Sequence, residues 1–442
     1  MSSQLTPNDR FAAIATPPAT PTSLPGTDST APAPETISDP SRWLWVIYPL
    51  AMVAMNAVWG GVMQMLLGKQ VAQLLPEPAA AAGVLGLTLT VAAVSSVISQ
   101  PILGRLSDRT RTRFLGRRNI WILIGGIVSA IGLIVMSQLT SIVAIAVVWA
   151  IMMWPLNATQ AGLTAVLPER IPLRRRGTMS GMVGASTLVG LYAGVALAGL
   201  SQEVFKGYLL IAAAFLLTAV TFALTTKDRP APDLRALSRE ERRERTRMPS
   251  FRTAPDYWWT FAGRAFLIFG YFSVTSFQLY ILRDYIGVGD IDQAGVALVA
   301  ISGMSTLLSL VFAAIGGWVS DKFGRLRIFV ALSTAMFAPA GLVYLLMPTM
   351  TGAWIASAIV GAAFGVYMAV DQALITRVLP NLDNAARDLG IMNIANAGPQ
   401  IVAPAVVGAI VGATGNYQVI FIILIASTVL GALSVRFIRG VR

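Results

Sequence analysis

The sequence contains no cysteine and no histidine. Without cysteine there is no disulfide, no zinc–thiolate centre and no nucleophilic thiol. Without histidine the chain lacks the usual general base, metal ligand and physiological pH switch. Catalytic triads and histidine-ligated haem are excluded, and no other nucleophile–base pair or metal cluster is visible. Neither an enzyme nor a cofactor-binding protein is expected. Charge is also scarce. Only 12% of the 442 residues are charged, against roughly 25% in a soluble domain, while 55% are hydrophobic. Such a chain has lipid for most of its solvent.

Residues 1–40 hold eight prolines, many Ser and Thr and no apolar periodicity, which reads as a disordered cytoplasmic tail. It has no basic start followed by an apolar core, so it is not a signal peptide. From Trp43 onward, apolar runs of about 20 residues, enough to cross the hydrocarbon core, alternate with polar breaks. Spans are expected near 43–68, 83–104, 119–137, 142–166, 177–200, 207–226, 257–282, 294–317, 328–347, 352–378, 389–412 and 416–437. The hydrophilic stretch 227–256 divides a bundle over 41–226 from a second over 257–442; within it, Leu234 to Arg247 is a charged helix candidate. The expected fold is therefore an all-α, multi-pass membrane protein of twelve transmembrane helices in two six-helix bundles.

The net charge of +12 would suggest nucleic acid in a soluble protein. Here the basic residues sit in short loops, and orientation in the membrane accounts for them. With both termini cytoplasmic, 29 of the 33 Lys and Arg fall inside; Lys69, Lys206 and Arg283 fall outside and Arg264 lies within a span. That asymmetry is the positive-inside pattern and places the chain in the cell membrane, with the lipid bilayer and no nucleic acid as partner.

The halves repeat at an offset of about 212 residues. Thr159-Gln160-Ala161, Thr164 and Val166-Leu167-Pro168 correspond to Asp371-Gln372-Ala373, Thr376 and Val378-Leu379-Pro380. Gly104-Arg105-Leu106-Ser107-Asp108-Arg109 corresponds to Gly317-Trp318-Val319-Ser320-Asp321-Lys322, and Ala82-Gly83-Val84 to Ala294-Gly295-Val296. Six spans separate each pair, so the copies share one orientation. Parallel six-plus-six repeats resemble the major facilitator superfamily. Gly104, Asp108 and Arg109, and Gly317, Asp321, Lys322, Gly324 and Arg325, are similar to its signature loop between the second and third helices of each half. The first loop runs on to Gly116-Arg117-Arg118, a form resembling the glycoside and sucrose-type branch. Arg387-Asp388-Leu389-Gly390 with Asn393, Asn396 and Pro399-Gln400 is similar to that branch too. The sodium-coupled members of the branch have acids on their second and fourth helices; here Gln100 and Asn157 stand there, so that ion site is not expected.

The resemblance implies a central cavity lined by the first, fourth, seventh and tenth spans. These offer Asn56, Trp59 and Met63; Trp154, Asn157 and Gln160; Arg264, Tyr271, Thr275 and Gln278; and Tyr367 and Asp371, each set at helical spacing. Amides beside aromatic rings suit a polyhydroxylated solute. The same residues could instead bridge neighbouring helices, and Gln160, repeated at Gln372, leans that way. The glycines of the fifth span, Gly177, Gly181, Gly184, Gly190, Gly194 and Gly199, are expected to form a close-packing face between the halves.

Two mechanisms are expected. By the resemblance, Asp108 should meet the start of the eleventh span near Arg387, and Asp321 the start of the fifth near Arg176, closing the cytoplasmic side; Arg109, Arg117, Lys322 and Arg325 belong to that gate. For coupling, Asp371 is the one acid well inside a span and Arg264 the one base. Each lies about eight residues from the cytoplasmic end, at roughly 12 Å depth. An isolated charge there costs about 2.5–3.5 kcal/mol on insertion scales, so the two are expected to pair. Either they hold two helices together, or Asp371 carries a proton whose affinity depends on whether the pair is formed. The leading expectation is a monomeric, proton-coupled secondary transporter of a small polar solute, a sugar or glycoside. The alternatives are a proton-coupled exporter of amphiphiles and a non-transporting membrane receptor or scaffold.

Overall fold

The computed structural model describes residues 39–110, 112, 115–201, 203–228, 249–323, 325–378 and 385–438. Residues 1–38 and the helix candidate at 234–247 lie outside them. The described residues form α1 (Arg42–Leu74), α2 (Pro78–Arg109), α3 (Asn119–Ser137), α4 (Ile142–Arg170), α5 (Leu173–Gly199) and α6 (Val204–Thr225). The second half comprises α7 (Pro255–Thr275, resuming at Gln278–Tyr285 after a 45° bend), α8 (Ile291–Phe323), α9 (Leu326–Leu346), α10 (Met350–Val378), α11 (Ala385–Thr414) and α12 (Gln418–Val435). Eleven helices are long and apolar enough to span a membrane alone, and the bent α7 makes twelve, in accord with the sequence reading.

Local chemistry sets the helix ends. Ser41 caps α1 by accepting from the Leu44 amide, Ser141 caps α4, and Pro78 and Pro255 occupy first turns, where a missing N–H costs nothing. Gly415, at φ +66°, turns the chain from α11 to α12. Several helices overrun the expected spans. α2 and α8 have 32 and 33 residues, about 48 Å at 1.5 Å per residue against a core of about 30 Å. Both signature loops therefore begin on helical extensions beyond the apolar core.

The end of the bundle that carries the basic loops is here called the basic end, and the opposite one the far end. α1 is not a uniform helix: Trp59–Leu66 winds as a wide π segment. This segment lies backbone to backbone on α5. A Cβ at Gly60 would sit 2.0 Å from the Leu191 carbonyl oxygen, and one at Gly194 would sit 2.0 Å from that of Ala57. The glycine face of α5 thus differs from expectation. Gly190 and Gly194 dock α1 of the same half, while Gly199 reaches the other half, at Val299 and the Gly295 carbonyl. A transmembrane helix gains close packing wherever small residues fall, and the sequence does not say which neighbour takes the place.

Across the halves, α2 packs along α11 and α5 along α8, the same contact seen from either repeat. It is tight at the far end, where a Cβ on Gly86 would lie 2.6 Å from the Gly408 Cα and one on Gly412 would lie 2.8 Å from the Gly83 Cα. At the basic end, among the described residues, nothing lies within 4 Å of a Cβ built on Gly104 of α2 or on Gly177, Gly181 or Gly184 of α5. Among the described residues, the halves are closed at the far end and parted at the basic end.

Candidate functional site

Between the halves lies a cavity of about 770 Å³, its open mouth included. α5 contributes Leu188, Leu191, Tyr192 and Val195, and α1 contributes Gln64. From the second half come Tyr271, Val274, Thr275 and Gln278 of α7, and Ser302, Ser305, Thr306 and Ser309 of α8. Phe337 and Tyr344 of α9, Ser357, Val360 and Phe364 of α10 and Leu424 of α12 complete it. Among the described residues none that lines it is charged. Tyr271 stacks flat on Phe364, centroids 4.6 Å apart at 7°, with Phe337 edge-on at 6.2 Å. Ser309 donates to the Gly361 carbonyl at 2.8 Å, which fixes one member of the hydroxyl stripe. The wall is an aromatic slab facing amides and hydroxyls.

Of the residues expected to face the cavity, Tyr271, Thr275 and Gln278 line it. Gln64 and the stripe Ser302, Ser305, Thr306 and Ser309 were not anticipated. The stripe has the 3-1-3 spacing of one helix face, but α8 was not among the spans expected to face the cavity. Gln64 lies in the π segment of α1, a kind of irregularity frequent at functional sites.

Arg264 and Asp371 meet, Nη1 to Oδ2 at 2.7 Å, with side-chain exposures of 12% and 5%. Among the described residues no acceptor meets the buried Arg264 Nε. Tyr367, one turn before Asp371, is buried with its hydroxyl close to the Asp371 carboxyl. The pair joins α7 to α10 about two turns from Tyr271, toward the basic end.

The remaining expected contacts are placed elsewhere. Asn157 is buried, and its amide donates to Ser96 Oγ at 2.9 Å and Ser99 Oγ at 2.8 Å. It joins α4 to α2 rather than facing the cavity, as Trp154 does through Ser95. The Asn56 amide donates to the Met52 carbonyl of its own helix at 2.8 Å. Trp59 is half-buried and meets Trp149 edge-on at 6.4 Å. Gln160 is half-buried and not part of the cavity wall.

At the basic end the first half is tied by charge. Glu169 of α4 takes Arg117 at 2.6 Å and Arg118 at 2.7 Å. Arg118 also donates to Ser107 of α2 at 2.8 Å. Arg170 pairs with Asp228 at 3.0 Å and with Asn119 at 2.7 Å. Arg117, expected in the gate between halves, is thus held inside its own half. The second half has Asn381-Leu382 at the places that correspond to Glu169-Arg170 of the first. Its Lys322 is exposed, with Nζ 5.1 Å from the Trp318 ring centroid, and Arg325 is exposed as well. The side chains of Asp108, Arg109, Asp321 and Arg387 lie outside the described residues.

The profile of the Major Facilitator Superfamily matches residues 44–404 and, again, 279–442. No curated relative matches the sequence. Among solved structures, the nucleoside transporter NupG is similar over 89% of this chain and 99% of its own, at TM-score 0.68 and 15% identity. A bacterial homologue of the human lysosomal transporter Spinster is similar over 89% and 95%, at TM-score 0.62 and 14% identity; that crystal structure is inward-facing and unoccupied. At these identities the likeness is one of fold. With its twelve helices and its matching profile, the chain belongs to the Major Facilitator Superfamily, a family of membrane transporters of small solutes.

Proposed function

We propose that the chain moves a neutral, hydroxylated solute, a sugar or a glycoside, across the cell membrane by alternating access, coupled to protons through Asp371. The observation that carries this is the cavity wall. A buried site without charge penalises ionic solutes, while amides and hydroxyls from both halves can satisfy many solute hydroxyls. The flat Tyr271–Phe364 pair suits the apolar face of a sugar ring. Gln64 comes from the first half and Gln278 from the second, so a solute held by both pulls the halves together. Taking the basic end as cytoplasmic, the parted basic end makes this an inward-open state. The long first signature loop supports the glycoside and sucrose-type branch.

Asp371 suits coupling because it is an acid inside an apolar span, ion-paired, and set apart from the cavity wall. A proton there releases Arg264, whose movement is transmitted along α7 to Tyr271 and Gln278. The test is uptake by the full chain, working as a monomer in proteoliposomes. A panel of labelled sugars, glycosides and nucleosides is offered with and without an imposed pH gradient. Concentration of a neutral hydroxylated solute only under the gradient is expected. Gradient-driven extrusion of amphiphilic cations, with no uptake of the panel, would establish the exporter reading instead.

A further inference from the structure

Lys69 stands near the far end of α1 and is buried, its side chain 1% exposed. Its Nζ donates to Asp292 Oδ1 at 2.9 Å and to the Ser201 carbonyl at 3.3 Å. Lys69 and Ser201 belong to the first half and Asp292 to the second, so the ion pair crosses between halves. Both charges stand at favourable helix ends. The Ser201 carbonyl lies just beyond the C-terminus of α5, where partial negative charge gathers; Asp292 is in the first turn of α8, where the amides leave partial positive charge. Asp290 fixes that turn by accepting from the amides of Asp292 and Gln293, at 3.0 and 2.8 Å. Gly295 makes room for the lysine: a Cβ there would lie 3.0 Å from Lys69 Cε and 3.3 Å from Nζ. Beside it, Tyr280 of α7 donates to the Gly68 carbonyl at 2.9 Å.

A buried ammonium is stable only while paired and hydrogen-bonded. When the far end opens, α1 and α8 must separate there. Lys69 then exchanges Asp292 for water. The attraction acts only in states whose far end is shut. We infer that Lys69 and Asp292 form a latch across the far mouth, and that Lys69 is a positioning residue setting the balance between inward-open and outward-open states. The latch holds whatever solute the cavity takes.

Because the chain lacks cysteine, introduced thiols can carry spin labels without background. Thr140→Cys with Met347→Cys spans the far mouth, and Leu173→Cys with Phe323→Cys spans the basic mouth; all four sites are exposed. Distances are measured on the full chain in nanodiscs. Asp292→Asn and Lys69→Met should each lengthen the far-mouth distance and shorten the basic-mouth distance. The expected rise in the outward-to-inward ratio is about tenfold, the scale of one charged hydrogen bond. The double variant should add little to either single shift. Asp292 is half-exposed, 47% at the side chain, so Asp292→Asn decides the matter if Lys69→Met fails to fold. Unchanged distributions in folded Asp292→Asn overturn the latch. So does a loss of thermal stability without any change in distance, which would make the pair a static tie.

Discussion

Asp371→Asn removes the charge that faces Arg264 and leaves the shape of the site nearly unchanged. The guanidinium is 12% exposed and its Nε has no acceptor among the described residues, so loss of the carboxylate leaves it largely buried and unpaired. Removing one partner of a buried pair costs about 3–5 kcal/mol. Asparagine keeps an acceptor oxygen, which sets the expected loss near the lower figure. The double replacement Arg264→Met with Asp371→Leu removes both charges and should recover most of that stability. Transport separates the two roles of the pair. One proton per solute links the solute gradient to the pH gradient at about 1.4 kcal/mol per pH unit, a limit of tenfold accumulation per unit. In proteoliposomes, Asp371→Asn should retain solute exchange and lose accumulation altogether. The double variant should regain thermal stability without regaining accumulation. If either variant still concentrates solute with the pH dependence of the parent, the pair is only a tie between α7 and α10 and proton coupling lies elsewhere.

Gln64→Leu and Gln278→Leu should each raise the KM for the transported solute about tenfold, the value of a hydrogen bond lost with a polar partner left unpaired, and leave thermal stability near that of the parent. Gly60→Ala should destabilise the fold by about 1–3 kcal/mol or more, because the new methyl meets the Leu191 backbone oxygen; a melting curve in detergent reads this. Gly184→Leu should leave the melting temperature unchanged, since the position faces open space here, yet abolish turnover by blocking closure of the basic end. Single cysteines test orientation: Thr140→Cys should react with an impermeant reagent added to intact cells and Phe323→Cys should not, and reversed labelling would refute the cytoplasmic assignment.

The parts legible in the sequence are those that depend on solvent and on repetition. A twenty-residue apolar run has no fold in water, and a motif repeated with its prolines and polar residues in order implies duplicated helices. Arg264 and Asp371 were legible for a related reason: two opposite charges at matching depth in lipid have few ways to be stable apart. What was not legible depends on helix rotation and on which helices are neighbours. Asn56, Trp59 and Met63 share a face if α1 advances at the ordinary 3.6 residues per turn. The π segment at Trp59–Leu66 turns less per residue, and Gln64 comes round to the cavity wall. Asn157 has the right spacing on α4 but finds Ser96 and Ser99 within reach on α2, and an amide takes the nearest buried acceptor. Lys69 shows the limit most clearly. The apolar run falters at Gly68-Lys69-Gln70, so composition ends the span there and assigns the lysine to a loop. The helix continues to Leu74 because partners meet each polar group on that turn: Asp292 and Ser201 for Lys69, and the carbonyls of Met136 and Leu139 with the Tyr208 hydroxyl for Gln70. Hydropathy records what a side chain loses in lipid, whereas the end of α1 is decided by what other helices supply to it.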